Sequence, residues 1–240
     1  MAGKKSSPRR TSTRSRTIRG IPMTITKKDI KSLRITVKPP DGNVSVSAPL
    51  YASDDTVDSF IISRIDWIAA QRERILSLPH PGPTEYVSGE TLWLFGKSYT
   101  LSVAEGIKNS LVIDGDTAYF TVKPGYDTKA REKFVDEWYR ARLKAYISEH
   151  LPKWESTVGL FCSSWQTKKM KTRWGTCNTV TGKLWFNLGL AKKSPVCIDY
   201  IILHELTHLR YRGHGADFSS FLDKYMPDWR EIKKKLNSLP

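Results

Sequence analysis

Alternating apolar and polar residues predict β-hairpins in the first half of the chain. The stretch IKSLRITVKPPDGNVSVSAP (residues 30–49) alternates on both sides of a Pro-Pro-Asp-Gly turn, as two antiparallel strands joined by a tight turn would. Two further hairpins are predicted for TLWLFGKSYTLSV (91–103) and NSLVIDGDTAYFTVKP (109–124), with Phe-Gly-Lys and Asp-Gly-Asp turns. The first half is therefore expected to be rich in β-structure.

Two long segments carry apolar residues at helical spacing. Residues 54–79 begin with acids and end with bases, which predicts one amphipathic helix with an apolar stripe of Val57, Phe60, Ile61, Ile65 and Ile68. Residues 128–159 predict a second helix, whose core stripe comprises Phe134, Trp138, Leu143, Tyr146 and Ile147.

The last third combines a β segment with further helices. The segment SSWQTKKMKTRWGTCNTVTGKLWFNLGL (163–190) is expected to turn at Thr181–Gly182, and the pattern is helical from Ser194 onward. The fold class is therefore α+β, with no visible repeat. We expect a β-rich N-terminal part with one amphipathic helix at 21–125 and a more helical domain at 126–240.

The charge of the chain is concentrated at its start. The 39 Lys and Arg residues exceed the 24 acids by 15. Residues 1–28 contain nine of these bases and no acid, which leaves only +6 for the rest. Residues 1–20 lack an apolar period, so they are predicted to form a disordered basic tail. Such a tail is a candidate for weak nucleic-acid contact or an organelle transit peptide.

Composition also bears on the compartment and on membranes. The three cysteines, Cys162, Cys177 and Cys197, form no CxxC pair and no even framework, as expected for a reduced, cytoplasmic protein. No stretch of 18 apolar residues is present, so neither a membrane span nor a membrane partner is expected.

The segment DYIILHELTHLRYRGHGADF (199–218) places polar residues inside an apolar helical run. His204-Glu205-Leu206-Thr207-His208 has the H-E-x-x-H pattern. Helical positions four apart differ by only ~40° in rotation, so both imidazoles point to one side and suit a single Zn²⁺ at about 2.0–2.1 Å. Glu205 lies about 100° away, where its carboxylate would take a proton from a water that the metal activates.

A third ligand is expected just beyond this helix. Gly213 is predicted to end the helix with a left-handed residue, so that the turning chain presents His214 to the same metal; Asp217 is the alternative ligand. Three protein ligands with one open position are typical of catalytic zinc. The spacing to His214 matches the metzincin pattern, but Tyr211 stands where that pattern has glycine.

Substrate-binding candidates precede the metal helix. Arg173 offers a guanidinium fork, Trp174 a broad aromatic face, and Gly175 a close backbone approach. These three residues lie on a β segment predicted to border the cleft and to bind an extended peptide, although they could equally be structural. Tyr200 and Tyr211 are candidates for stabilising an oxyanion, with packing as the alternative. Asn187 is interpreted as a turn residue, with a polar group near the site as the alternative.

The segments MKTRWGTC (170–177) and KLWFNLGLAKKSPVCIDYIILHELTHLRYRGHGADF (183–218) resemble the YgjP-like metallopeptidase-domain family, distant kin of SprT-like and WLM zincins. SLRITVKPPDGNVSVSAP, RIDWIAAQ and GKSYTLSV are also similar, so the resemblance covers roughly residues 20–235. It implies a zincin-like metallopeptidase domain, with His204, His208 and His214 holding one Zn²⁺ per chain and Glu205 as catalytic base. Ser219 follows Phe218 where the family commonly has Trp, a departure that concerns local packing.

Two hypotheses of function follow. The first is a zinc metallopeptidase that acts on a peptide or protein substrate, with Glu205 as general base. The alternative is a nucleic-acid-associated protein with a structural or vestigial metal site, supported by the basic tail and by Lys168, Lys169, Lys171 and Arg173. The sequence does not define an oligomeric state.

Overall fold

The computed structural model describes residues 11–38, 41–77 and 84–237. The chain divides into two compact units, residues 1–83 and 84–240, and each unit has an apolar core of its own. This boundary lies some forty residues before the predicted one near residue 125.

The first unit is a four-stranded sheet followed by two helices. Its elements are β1 (Ser12–Ile18), β2 (Ile21–Lys28), β3 (Arg34–Lys38), β4 (Asn43–Pro49), α1 (Asp54–Ile62) and α2 (Ile65–Ser77). The strand order is β1-β2-β4-β3. The predicted hairpin is confirmed, because β3 and β4 pair antiparallel; Pro39 and Pro40 of its turn lie outside the described residues.

Strand β1 corrects the prediction of a disordered tail over residues 1–20. Residues 12–18 pair antiparallel with β2 along their whole length. Arg14 forms an ion pair with Asp54, and Arg16 Nη1 lies 2.8 Å from Asp58 Oδ1. An edge strand needs only backbone partners, so β1 forms without the apolar period that the prediction required. Residues 1–10 lie outside the described part of the chain.

The single helix predicted for residues 54–79 is two helices. The backbone forms a tight turn at Ser63 and Arg64, where the Arg64 amide donates to the Ile61 carbonyl, three residues back, at 3.0 Å. The Ser63 hydroxyl donates to the Phe60 carbonyl at 2.8 Å. Serine side chains compete with the helix for backbone partners in this way, which favours a helix end.

The second unit contains two sheets and four α-helices among the described residues. Its elements are β5 (Thr91–Leu94), β6 (Lys97–Glu105), β7 (Ser110–Asp114), β8 (Thr117–Val122), α3 (Thr128–Val158), β9 (Ser164–Lys168), β10 (Gly175–Asn178), β11 (Lys183–Asn187), a 3₁₀ helix (Leu188–Lys192), α4 (Pro195–Thr207), α5 (Ala216–Tyr225) and α6 (Trp229–Asn237). The two hairpins predicted here, β5–β6 and β7–β8, are confirmed as antiparallel pairs.

The two four-stranded sheets share one connectivity. The second has the order β5-β6-β8-β7, with a parallel central pair flanked by two antiparallel hairpins, as in β1-β2-β4-β3. The sequence showed no repeat, since each sheet uses different side chains for the same backbone arrangement. The repeat is therefore one of topology.

Strands β5–β8 belong to the second unit, together with the helix α4 that carries the H-E-x-x-H motif. The Tyr139 hydroxyl of α3 donates to the Trp93 carbonyl of β5 at 2.7 Å. The Phe95 amide donates to the Ala191 carbonyl of the 3₁₀ helix at 2.8 Å. The Phe120 and Phe134 rings stack at 5.6 Å between centroids. A boundary drawn where β pattern gives way to helical pattern misses these tertiary contacts.

Helix α3 supplies one wall of this core. Asp127 caps its N-terminus by accepting from the Ala130 amide at 2.8 Å, and Gly159 ends it with φ +68°. Leu143 and Ile147 of the predicted stripe are buried, whereas its three aromatic residues are only partly buried. Although α3 is long, none of the described helices combines the length and apolarity required to cross a membrane.

Candidate metal centre

Helix α4 places the metal motif in the centre of the second unit. Ser194 and Pro195 occupy its N-cap and first turn, as the sequence predicts. The helix is buried on nearly all sides, and its buried residues include Tyr200 and Glu205. A helix apolar all round belongs in a core, so the polar residues of the motif face a site that the core encloses on most sides.

The end of α4 differs from the prediction. The helix stops at Thr207, with His208 as its C-cap at φ −66°, and Gly213 does not adopt a left-handed conformation. The Leu209 and Arg210 amides bond three residues back, to Leu206 and Thr207, which tightens the final turn. The chain therefore turns back directly after His208 and not at the glycine.

This turn brings three imidazoles together. The candidate ligand atoms of His204, His208 and His214 all lie within 4.8 Å of one another. His204 Nε2 and His214 Nε2 are 3.1 Å apart. Asp217, the alternative third ligand, lies in the first turn of α5 and is not part of this cluster.

The geometry suits a tetrahedral zinc ion. Nitrogen ligands at zinc distance in a tetrahedron are separated by about 3.3 Å, close to the observed 3.1 Å. His208 Nδ1 donates to the Tyr211 carbonyl at 3.0 Å, which leaves Nε2 of that ring for a metal. Such a bond from the second nitrogen is the usual way in which a protein orients a ligating histidine.

Aromatic residues hold the imidazoles in place. The Phe218 ring of α5 is buried and lies 5.0, 4.8 and 4.8 Å from the rings of His204, His208 and His214. The Tyr200 hydroxyl lies 3.5 Å from His204 Nδ1, at the limit of a hydrogen bond. Tyr200 thus lines the site, whereas the Tyr211 ring packs against Phe221 at 5.7 Å.

Burial keeps two of these histidines neutral. It lowers the pKa of His204 to about 3, and electrostatic interactions with His208, His214 and Lys233 act in the same direction. Burial also lowers the pKa of His208, an effect that its hydrogen bond to Tyr211 partly offsets. Neutral imidazole is the form that binds a metal, so no proton has to leave either ring at neutral pH.

Glu205 is buried beside the cluster. Its residue exposure is 4%, and burial raises the pKa of its carboxyl group to about 8, against the opposing effect of Arg173. A raised pKa makes a carboxylate a stronger proton acceptor once it is ionised, and a bound cation nearby favours that ionised form. The group is therefore suited to accept a proton from water.

Gly175 touches this carboxyl group directly. A Cβ built at Gly175 would lie 2.5 Å from Glu205 Oε1 and 2.7 Å from its Cγ. Gly175 pairs with Phe186 in regular antiparallel register and is not a bulge. The glycine of the RWG sequence is thus needed for space, because any side chain would displace Glu205.

We expect Gly175→Ala to lower peptide cleavage about 100-fold, since a displacement near 1 Å at a reacting group has an effect of that size. The zinc content should stay unchanged, because the three atoms nearest to the new methyl group all belong to Glu205 and none to a histidine. Gly213→Ala is the matched control, since a Cβ there meets nothing within 4 Å. Cleavage rates and zinc content of both variants, measured together, test this; equal activity of the two would contradict it.

Asn187 has a larger role than the turn residue inferred from sequence. It is buried, and its Nδ2 donates to the carbonyls of Met170 at 2.9 Å and Arg173 at 2.6 Å. Its backbone amide donates to the Trp174 carbonyl at 2.8 Å. One side chain thus ties the β9–β10 loop to β11, so that the RWG sequence is held against Glu205. The sequence signal for this role is an asparagine at the end of a strand pattern, KLWFN.

The candidate site lies in a cleft of about 580 Å³. Its lining residues include the three histidines, Glu205 and residues of the edge strand β10. Trp174 combines both interpretations made from sequence: it lines the cleft, it packs against the core, and its Nε1 donates to Asn237 Oδ1 at 3.1 Å. Cys177 also lines the cleft, and all three cysteines are free thiols.

Comparison with solved structures gives similarities to six chains, among them two metallopeptidase zymogens. The metallopeptidase zymogen of Pyrococcus abyssi abylysin is 18% identical, with a TM-score of 0.35 over 38% of this chain and 90% of that one. The metallopeptidase zymogen of Methanocaldococcus jannaschii jannalysin is 25% identical, with a TM-score of 0.34 over 38% and 92%. These TM-scores are too low to establish a common fold.

No curated protein sequence is significantly similar to the chain. A family model, in contrast, matches most of it: the YgjP-like, metallopeptidase domain model aligns with residues 31–239. That span includes β3–β4, the RWG sequence and the complete histidine cluster. The chain therefore belongs to the YgjP-like metallopeptidase-domain family.

Proposed function

We propose that the chain is a zinc-dependent peptidase with a zincin-like catalytic unit at residues 84–240. His204, His208 and His214 would bind the single zinc ion, and Glu205 would be the general base. The observation that carries this proposal is the convergence of three imidazoles beside a buried carboxyl group on an open cleft. A zinc site with three protein ligands keeps one position for water or substrate.

The protein's own groups have defined tasks in this mechanism. A bound zinc ion would supply an acidified water and an electrostatic partner for the scissile carbonyl oxygen. Glu205 takes the proton from the attacking water and passes it to the leaving amine nitrogen, so that the carboxyl group returns to its starting state. Gly175 keeps Glu205 in position, and Tyr200 and Phe218 orient the histidine rings.

The substrate would lie along β10. This strand is at the edge of the sheet β10-β11-β9, and its residues Gly175, Thr176 and Cys177 line the cleft. A peptide added to such an edge gains backbone hydrogen bonds irrespective of its sequence. Arg173 and Trp174 precede the strand and line the same cleft, so they would contact side chains of that peptide.

Removing the metal tests the proposal. We expect the purified chain to contain about one zinc by elemental analysis and to cleave unfolded protein substrates. A chelator should abolish cleavage, and added Zn²⁺ should restore it, because the three ligands all lie at one site. Mass spectrometry of the products provides the readout. A chain that binds zinc but never cleaves, or that cleaves equally well with chelator, would contradict the proposed function.

The nucleic-acid alternative has less support. Arg14 and Arg16, counted with the basic tail, form ion pairs with acids of α1. Lys169 lies 2.6 Å from Glu132 and 2.8 Å from Asp136 of α3. Cations that are already paired add little to the phosphate attraction on which nucleic-acid binding depends.

A further inference from the structure

Positive charge reaches the cleft from three separate elements. Arg173 extends from the loop between β9 and β10, Arg212 from the loop between His208 and His214, and Lys233 from α6. All three side chains are exposed. They are far apart in sequence, so the charge of the cleft is not a consequence of one basic run.

Among the described residues that line the cleft, no acidic side chain balances Arg212 or Lys233, and the acid on which Arg173 acts is the buried Glu205. Glu205 is the only carboxyl group among its lining residues, and it is buried. No ion pair joins Arg173, Arg212 or Lys233 to an acid in the described chain, whereas neighbouring cations are paired: Arg230 with Asp223, and Lys234 with Glu231. Of these α6 cations, Lys233 thus lines the cleft without an ion pair to an acid, whereas Arg230 and Lys234 each have an acidic partner.

We propose that this cleft selects peptides with a carboxylate close to the scissile bond. The carboxylate would be an Asp or Glu side chain or the C-terminal carboxylate of the substrate. This inference rests on the proposed peptidase function, and it adds the class of substrate. Guanidinium forks match carboxylates in a bidentate geometry, and a lysine in the cleft would repel a basic peptide.

The chemistry sets the size of the expected effect. Hydrogen bonds to charged groups contribute more than neutral ones, but exposed cations are screened by water and salt. We therefore expect an acidic peptide to bind about tenfold more tightly than its amide counterpart at low ionic strength, with the preference declining as salt is added.

The test measures binding separately from cleavage. Fluorescent pools of degenerate decapeptides, each with one Asp, one Asn or one Lys in the middle, are titrated against the zinc-loaded Glu205→Gln chain and followed by anisotropy. Each pool is made with a free and with an amidated C-terminus, which distinguishes a side-chain carboxylate from a terminal one. The Asp pool should bind about tenfold more tightly than the Asn pool, or each free-acid pool more tightly than its amide.

The same titration is repeated on Arg212→Gln/Lys233→Gln and on Lys108→Gln/Lys224→Gln. Both pairs remove two exposed positive charges, but only the first pair lines the cleft. The preference should fall below about twofold in the cleft variant and persist in the control. Equal binding of the pools, no binding of any pool, or loss of preference in the control would overturn the inference.

Cleavage of the same pools by the wild-type chain separates the two proposals. Cleavage without any preference for carboxylates, together with equal binding, would refute only the substrate class. Carboxylate-selective binding with no cleavage of any pool would refute only the peptidase function.

Discussion

Replacing Glu205 by Gln is expected to lower peptide cleavage by about 10²–10⁴-fold, the usual contribution of a general base. Gln cannot accept the proton, which removes the general base. Because Gln has nearly the same shape as Glu, the packing against Gly175 should be preserved. Zinc content should stay at the wild-type level, because Glu205 is not a member of the histidine cluster. Steady-state cleavage rates and elemental analysis on the same preparations measure both quantities.

The control for this variant is Asp217→Asn, which makes the same carboxylate-to-amide change at an exposed residue in the first turn of α5. That variant should keep wild-type activity. Full activity in Glu205→Gln would show that another group accepts the proton, and the proposed mechanism would be wrong. Parallel loss of zinc and of activity would instead mean that Glu205 supports the metal site.

Removing any one of the three histidines is expected to abolish both zinc binding and cleavage. His204→Ala, His208→Ala or His214→Ala would leave two nitrogen ligands and an exchangeable, weakly held ion. The zinc content should then fall from about one per chain to near zero after dialysis. Thermal unfolding with and without added Zn²⁺ provides a second readout, since a ligand that binds only the folded state raises the midpoint.

His150→Ala is the matched control, because this histidine lies on α3, stacks on Tyr146 and is outside the cluster. It should retain zinc. Retention of zinc in His214→Ala but loss in Asp217→Ala would identify the aspartate as the third ligand. That outcome would require α5 to rotate, since Phe218 now packs against all three imidazoles.

Residues from several elements surround the candidate site and determine its geometry. Glu205 and His204 come from a helix buried on nearly all sides, so few polar groups can reach them; His204 has Tyr200 and His214 as neighbours. Asn187 and Gly175 approach from the sheet, and Phe218 from α5. Elements distant in sequence therefore fix the geometry around Glu205, the proposed general base.

The site chemistry was available in the sequence because it is local. His204, Glu205 and His208 fall within five residues, and helical periodicity alone puts the two imidazoles on one side. The hairpins, the Ser194–Pro195 start of α4 and the residues of α3 follow from short-range patterns of the same kind. The shift of the unit boundary and the strand β1 did not follow, because both depend on which distant backbone a segment pairs with.

The sequence alone determined which residues are candidates for the site, and the tertiary structure set how they are arranged. The sequence identified the candidate ligands His204, His208 and His214 and the candidate base Glu205, since a residue type and its spacing carry that information. Only the fold placed Gly175 against Glu205, tied Asn187 to the RWG loop and aimed Arg212 and Lys233 into one cleft. These contacts join residues 14 or more positions apart, and a distance between such residues is set by packing rather than by any local pattern.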